Sequence, residues 1–179
     1  MAAWTHIAHS ALSLPAATVT WTGISGSYDH LLIKVSGISA RTATYYDYVK
    51  CEFNNDTTAA NYSYTQLYAD SATPNTGAGV ALPVGGFVNA DASGMAANVF
   101  GTLNMWIPHY SQSDNFKQCF SESYGANQSN TNSRWIVCLN ALLWHDTPAA
   151  ITEIDLSLGY AGDNWMANST FDLYGITGA

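Results

Sequence analysis

Few residues in this 179-residue chain have types and spacings that could do chemistry. His6 and His9 offer two imidazoles three residues apart, which looks like a zinc pair. On an extended strand, however, side chains alternate, so residues three apart face opposite sides of a sheet. His30, His109 and His145 have no companion His or Cys at ligand spacing, and the Tyr and Asn near His109 suit a satisfied loop histidine. No metal site and no cofactor is therefore expected. Glu153 and Asp155 are candidates for the paired carboxylates of glycoside hydrolysis, which stand roughly 5–9.5 Å apart. The alternation that pairs them also sets them opposite Ile154, Leu156 and Leu158, as a solvated outer face would be. Nothing there implies the desolvation that raises an acid's pKa. Gly23-Ile24-Ser25-Gly26 misses the Gly-x-Ser-x-Gly spacing of a nucleophile elbow, and no helix follows it. The chain reads as not an enzyme.

The densest polar cluster is Asn54-Asn55-Asp56-Thr57-Thr58. Asx side chains turn the backbone, so a tight turn is the first reading. A calcium site or sugar-binding loop is the sharper alternative, since clustered oxygens suit a hard cation, although one carboxylate is a thin ligand set. If a glycan binds here, Asn54, Asp56, Asn61 and Tyr62 are the contacts, with amides against hydroxyls and a ring against a sugar face.

Strands must position all of these groups. No segment repeats apolar residues at helical spacing, whereas period-2 alternation recurs. About nine strands are expected: Trp4 to His9, Ala17 to Thr22, His30 to Ser36, Tyr45 to Phe53, Asn98 to Ile107, a strand starting at Phe116, Arg134 to Trp144, Thr152 to Leu158 and Thr170 to Ile176. Arg134 to Trp144 is apolar on both faces, as in a central strand covered on two sides. Strands without crossover helices predict an all-β, antiparallel, jelly-roll-like sandwich with little helix, in one domain over residues 1–179. One long stretch, 70–97, is rich in Gly and Ala and reads as irregular. Its Leu82, Val84, Phe87, Val88 and Met95 argue against free disorder, so it is expected to lie as an interaction loop against a neighbouring subunit.

Composition narrows the function. Charged residues are only 10% of the chain, with 5 Lys plus Arg against 13 Asp plus Glu and a net charge of -8. Five cations cannot neutralise a row of phosphates, so no nucleic-acid partner is expected. The 17 Thr, 17 Ser and 14 Asn supply polarity in place of charge, beside 11 Tyr and 6 Trp. Such a surface suggests burial against partners. The start, Met1 to His6, has no basic n-region and no apolar core, so no secretory signal is expected. The longest apolar run, Trp135 to Leu139, is too short to span a bilayer, so no membrane partner is expected. Cys51, Cys119 and Cys138 read as buried free thiols of a protein folded in a reducing cytoplasm.

Several strings are similar to those of a known group. Phe53-Asn54-Asn55-Asp56-Thr57-Thr58-Ala59-Ala60-Asn61-Tyr62-Ser63 resembles a recurring turn string of tailed-bacteriophage virion proteins. Gly23 to Leu32, Trp106-Ile107-Pro108-His109-Tyr110 with Lys117 following, Thr147 to Ile154, and Phe171-Asp172-Leu173-Tyr174-Gly175-Ile176 resemble the same family in the same order. Asn55 stands where that pattern has Gly. The resemblance implies an all-β virion structural protein, made in the host bacterial cytoplasm, with no active site to carry over. The expectation is a capsid decoration or cement protein, homotrimeric, in contact with the major capsid protein. The alternative is a tail or fibre module, among tail proteins, that recognises host glycans.

Overall fold

The computed structural model describes residues 3–42, 44–71, 73–90, 98–126, 135–160 and 162–178. Alternation becomes strand wherever it occurs, and twelve strands form among the described residues. They are β1 (Ala3–Ala11), β2 (Thr18–Thr22), β3 (His30–Ser39), β4 (Tyr46–Phe53), β5 (Tyr62–Asp70), β6 (Thr73–Val80), β7 (Val84–Ala90), β8 (Gly101–Pro108), β9 (Lys117–Ala126), β10 (Trp135–Trp144), β11 (Glu153–Leu158) and β12 (Thr170–Thr177). The only helical piece among them is a 3-10 turn, Ala59–Asn61.

The strands make an all-β sandwich of two unequal layers. The larger runs β1-β12-β3-β8-β9-β10-β5-β6, every neighbour antiparallel. The smaller runs β2-β11-β4-β7. They join where the end of β3 leaves the large layer: Ile38 and Ser39 pair in parallel with Asn89 and Ala90 of β7. The core lies between the layers. Leu31, Ile33 and Val35 of β3 and Leu103, Met105 and Ile107 of β8 face Val49, Cys51 and Phe53 of β4 and Ile154 and Leu156 of β11. The three cysteines are free and buried, as their strand positions implied. Burial pushes the thiols of Cys119 and Cys138 up to about 12, so they stay protonated and inert.

Two expectations are corrected. The stretch 70–97 is not an irregular loop: β6 and β7 occupy most of it. Val84, Phe87 and Val88 are buried in the chain's own core, so they are not available as a surface for a neighbour. Only Leu82 of that set is exposed, and Met95 lies outside the described residues. The physical reason is that β7 is covered on both faces, which erases alternation from its sequence. It packs across β8 to β10 because Gly85 and Gly86 present no side chain there. A Cβ on Gly86, at φ +143°, would stand 2.7 Å from Leu103 Cδ1. Polar side chains beneath then bond to β7's backbone. The Ser121 hydroxyl donates to Gly85 O at 2.5 Å, and Asn140 Nδ2 donates to Val84 O at 2.9 Å. Phe87 N–H donates to Ser123 Oγ at 3.2 Å.

The second correction concerns β10. It is central in its layer but covered on one face only, with inward and outward residues alternating from Trp135 to Leu142. Its outward side chains are apolar nonetheless.

Candidate functional site

Directly opposed residues of an antiparallel pair share a face. Register therefore assembles the outer face of the large layer row by row. Val137 stands beside Tyr124 and Ala69, Leu139 beside Glu122 and Leu67, and Ala141 beside Phe120 and Thr65. The rows continue outward to Thr102, Asn104 and Trp106 on β8 and to Pro74, Thr76 and Ala78 on β6. Leu67, Phe120, Tyr124, Trp135, Val137 and Leu139 are 45–62% exposed. A groove of about 570 Å³ runs between β10 and β6, lined by Leu67, Ala69, Pro74, Thr76, Val137 and Leu139. A second, of about 460 Å³, lies between Phe120, Ala141, Leu143 and Thr65.

Charge is almost missing here. Among the outward residues of β5, β9 and β10, Glu122 is the one acidic or basic side chain, and its Oε1 accepts from Asn104 Nδ2 at 3.1 Å. Rows about 3.3 Å apart and strands about 4.8 Å apart, over the nine residues paired between β10 and β5, give the whole outer face from β8 to β6 an area on the order of 600 Å², which its apolar side chains share with Thr65, Thr76, Thr102, Asn104, Gln118 and Glu122. Its exposed apolar side chains, Leu67, Phe120, Tyr124, Val137 and Leu139, are contiguous across β5, β10 and β9, the kind of patch that suits an interaction surface. The area approaches the roughly 800 Å² per partner of a standard interface. The stretch 70–97, expected to carry a contact surface, contributes only the β6 edge of this face, and the exposed apolar side chains come from β5, β9 and β10. The available signal was the outward half of Trp135 to Leu143, read as buried.

The polar cluster at 54–62 does come together, as a lock within the fold. Asn54 and Asn55 both take left-handed backbone, at φ 54° and 57°, and Asp56 N–H closes the turn onto Phe53 O at 2.9 Å. Asn55 thus adopts a left-handed conformation that most side chains avoid and that Asn tolerates in tight turns. Asp56 Oδ2 accepts from Asn61 Nδ2 at 2.9 Å and Trp144 Nε1 at 2.7 Å, while Oδ1 accepts from Thr58 N–H at 2.9 Å. Burial opposes ionisation of Asp56, but these donors outweigh it and hold its carboxyl below the usual range. Tyr62 is fully buried, its hydroxyl accepting from Phe53 N–H and donating to Asp56 O. Asn54 ties the turn to the start of β11 through Thr152 N–H at 2.8 Å and Ala150 O at 2.8 Å. All four side chains hydrogen-bond to neighbours in the same chain.

The other candidates fall out as follows. Glu153 and Asp155 lie on the outer face of β11; the Thr20 hydroxyl donates to Asp155 Oδ1 at 2.5 Å, and Glu52 stands opposite Asp155. His30 is buried and its Nδ1 accepts from His109 N–H at 3.1 Å, so both are engaged in the fold. No helix among the described residues is long and apolar enough to cross a membrane. No protein-family model matches the chain, and no curated protein matches it in sequence.

Proposed function

We propose that this chain is a structural protein of a tailed-bacteriophage virion, a capsid decoration subunit. It works by joining copies of itself through the outer face of the large layer. The observation that carries the reading is the apolar face of β5, β9 and β10, with Glu122 as its one charge. A low-charge face suits close packing, because each ion buried without a partner costs several kcal/mol. Tyr124, Phe120 and Trp135 supply contact area at little cost in side-chain entropy. Three copies with this face turned toward a three-fold axis would bury it in a triangular core. That leaves the other surfaces of each subunit for the major capsid protein. Repetition around the axis and across a capsid converts modest contacts into avidity.

Sedimentation of the purified chain tests the reading. The expected result is a particle of three 19.2 kDa protomers that co-sediments with capsids. A chain that stays monomeric at about 100 µM, where even a weak ~10 µM association would show, and that ignores capsids removes it.

A further inference from the structure

Strict alternation would send His6 and His9 to opposite sides of β1, and the structure does not obey it. β1 pairs with β12 as Thr5 with Gly175 and His6 with Tyr174, and then resumes as Ala8 with Leu173 and His9 with Asp172. Ile7 is therefore an extra residue, a β-bulge on an edge strand. Tyr174 and Asp172 are two apart on β12 and share a face, so the residues opposite them share it too. The bulge turns both imidazoles to the same side, above one carboxylate. His6 Nε2 lies 2.9 Å and His9 Nδ1 2.8 Å from the same atom, Asp172 Oδ1. The ligating atoms of all three residues lie within 4.8 Å of one another. The Tyr174 ring, 5.1 Å from that of His6, walls one side, and Trp4 stands behind it at 6.3 Å.

We propose that His6, His9 and Asp172 form a site for a divalent first-row transition ion, with Zn2+ as the best fit. Two imidazoles and one carboxylate are the donor set such an ion takes, with further positions left open. Mg2+ and Ca2+ are excluded by the same donors, because they want six or more oxygens and no nitrogen. The geometry is close to what zinc needs. Ligands at about 2.0–2.1 Å around a tetrahedral ion are about 3.3 Å apart. The two nitrogens thus need to move about half an ångström out from the shared oxygen, and the widest of the three separations, within 4.8 Å, has to close by up to about 1.5 Å through rotation of the exposed rings. A neutral imidazole frees its inner lone pair by carrying its proton on the other ring nitrogen. The open position faces solvent and takes a water or a donor from another molecule.

Two features limit affinity. The side chains of His6 and His9 are 48% and 49% exposed, and that of Asp172 is 28% exposed, so the ion remains half hydrated. Lys34 stands opposite Asp172 across the β12–β3 pair on the same face, and its ammonium works against a bound cation. The site sits at the β1–β12 end of the large layer, separated by β3 from the strands of the apolar patch. It does not depend on the assembly reading.

Calorimetric titration of the full chain with zinc chloride, in a buffer that does not bind zinc, tests it. One ion per chain is expected, with His6→Gln and His9→Gln each weakening it by roughly tenfold or more. Cobalt(II) in the same site should give visible ligand-field bands without a thiolate charge-transfer band, which separates this set from Cys51, Cys119 and Cys138. Zinc should also raise the melting temperature of the wild type and leave that of the double variant unmoved. Both histidines are exposed on an edge strand, so the variants keep the fold, and their metal-free melts check that they do. No saturable zinc up to about 1 mM, or equal binding by the double variant, overturns the proposal.

Discussion

Leu139→Glu tests the proposed assembly face at its centre. Leu139 points outward from β10 between Leu67 on β5 and Glu122 on β9. Full burial of a leucine is worth roughly 2 kcal/mol, and Leu139 is already about half covered within the protomer, which leaves about 1 kcal/mol for association. A carboxylate in its place enters a patch without cations and beside Glu122, at a cost of several kcal/mol when water is excluded. The sum, about 4 kcal/mol per interface, is a loss on the order of 10³-fold in association constant. The protomer itself should hardly notice, because an exposed substitution moves stability by about 0.5 kcal/mol or less. Sedimentation equilibrium over a concentration series reads the first quantity, and a denaturant melt of the dilute protein reads the second. Ser157→Glu puts the same charge on the outward side of β11, on the other layer, and should leave association intact. Equal association by wild type, Leu139→Glu and Ser157→Glu would refute the argument. So would a Leu139→Glu chain that fails to fold, because that would make this face part of the core.

Three further outcomes follow from the packing. Asp56→Ala removes three charge-assisted acceptor contacts and strands the buried Trp144 Nε1; a loss of about 3 kcal/mol, or roughly 10 °C in melting temperature, is expected by calorimetry. Because the folded pKa of Asp56 is lowered, its contribution is complete above about pH 4 and is lost as pH falls below it, so wild type and variant should converge in acid. Asp47 behaves oppositely: burial raises its carboxyl to about 6 despite the Ser39 hydroxyl donating to it at 2.7 Å. The folded state keeps the proton that the unfolded state loses near pH 4, so stability falls between about pH 4 and 6, and Asp47→Asn should gain about 2 kcal/mol at pH 7 and nothing at pH 4 in urea melts. Gly86→Ala forces a Cβ against Leu103 at a backbone angle that side chains avoid; a loss of about 3 kcal/mol, with β7 amides exchanging early, is expected by hydrogen exchange.

What the sequence disclosed and what it hid divide along physical lines. Strands buried on one face and wet on the other, such as β11 with Ile154, Leu156 and Leu158 inward, are legible because alternation records the two environments. β7 is illegible because both its faces are covered, and β6 because its Gly77 and Gly79 read as turn residues. Those glycines instead make room for the side chains of Gln66 and Tyr64 on the adjacent strand. The His6–His9 pair is hidden for a different reason. Parity along a strand assumes no inserted residue, and the bulge at Ile7 depends on how β1 registers against β12. Outward apolar residues on β10 were misread because a sequence cannot say whether a hydrophobic face is covered by its own chain.

The low charge of the chain is not spread evenly, and under the proposed function the unevenness would orient the subunit. The outer face of the small layer holds Lys50 and Glu52 on β4 and Glu153 and Asp155 on β11, with Thr18, Thr20 and Thr22 beside them on β2. Across the sandwich, β5, β9 and β10 expose six large apolar side chains around one carboxylate. A random scatter of so few charges would leave neither face able to choose between water and a partner. Segregation gives one layer an acidic, hydrated exterior that keeps copies soluble by mutual repulsion. It gives the other an apolar exterior, which is what the proposed assembly requires. An assembled particle built this way turns its acidic layers outward and its apolar layers inward. Adding acids to the small layer should therefore leave assembly untouched, while a single acid added at the centre of the β5, β9 and β10 face should undo it.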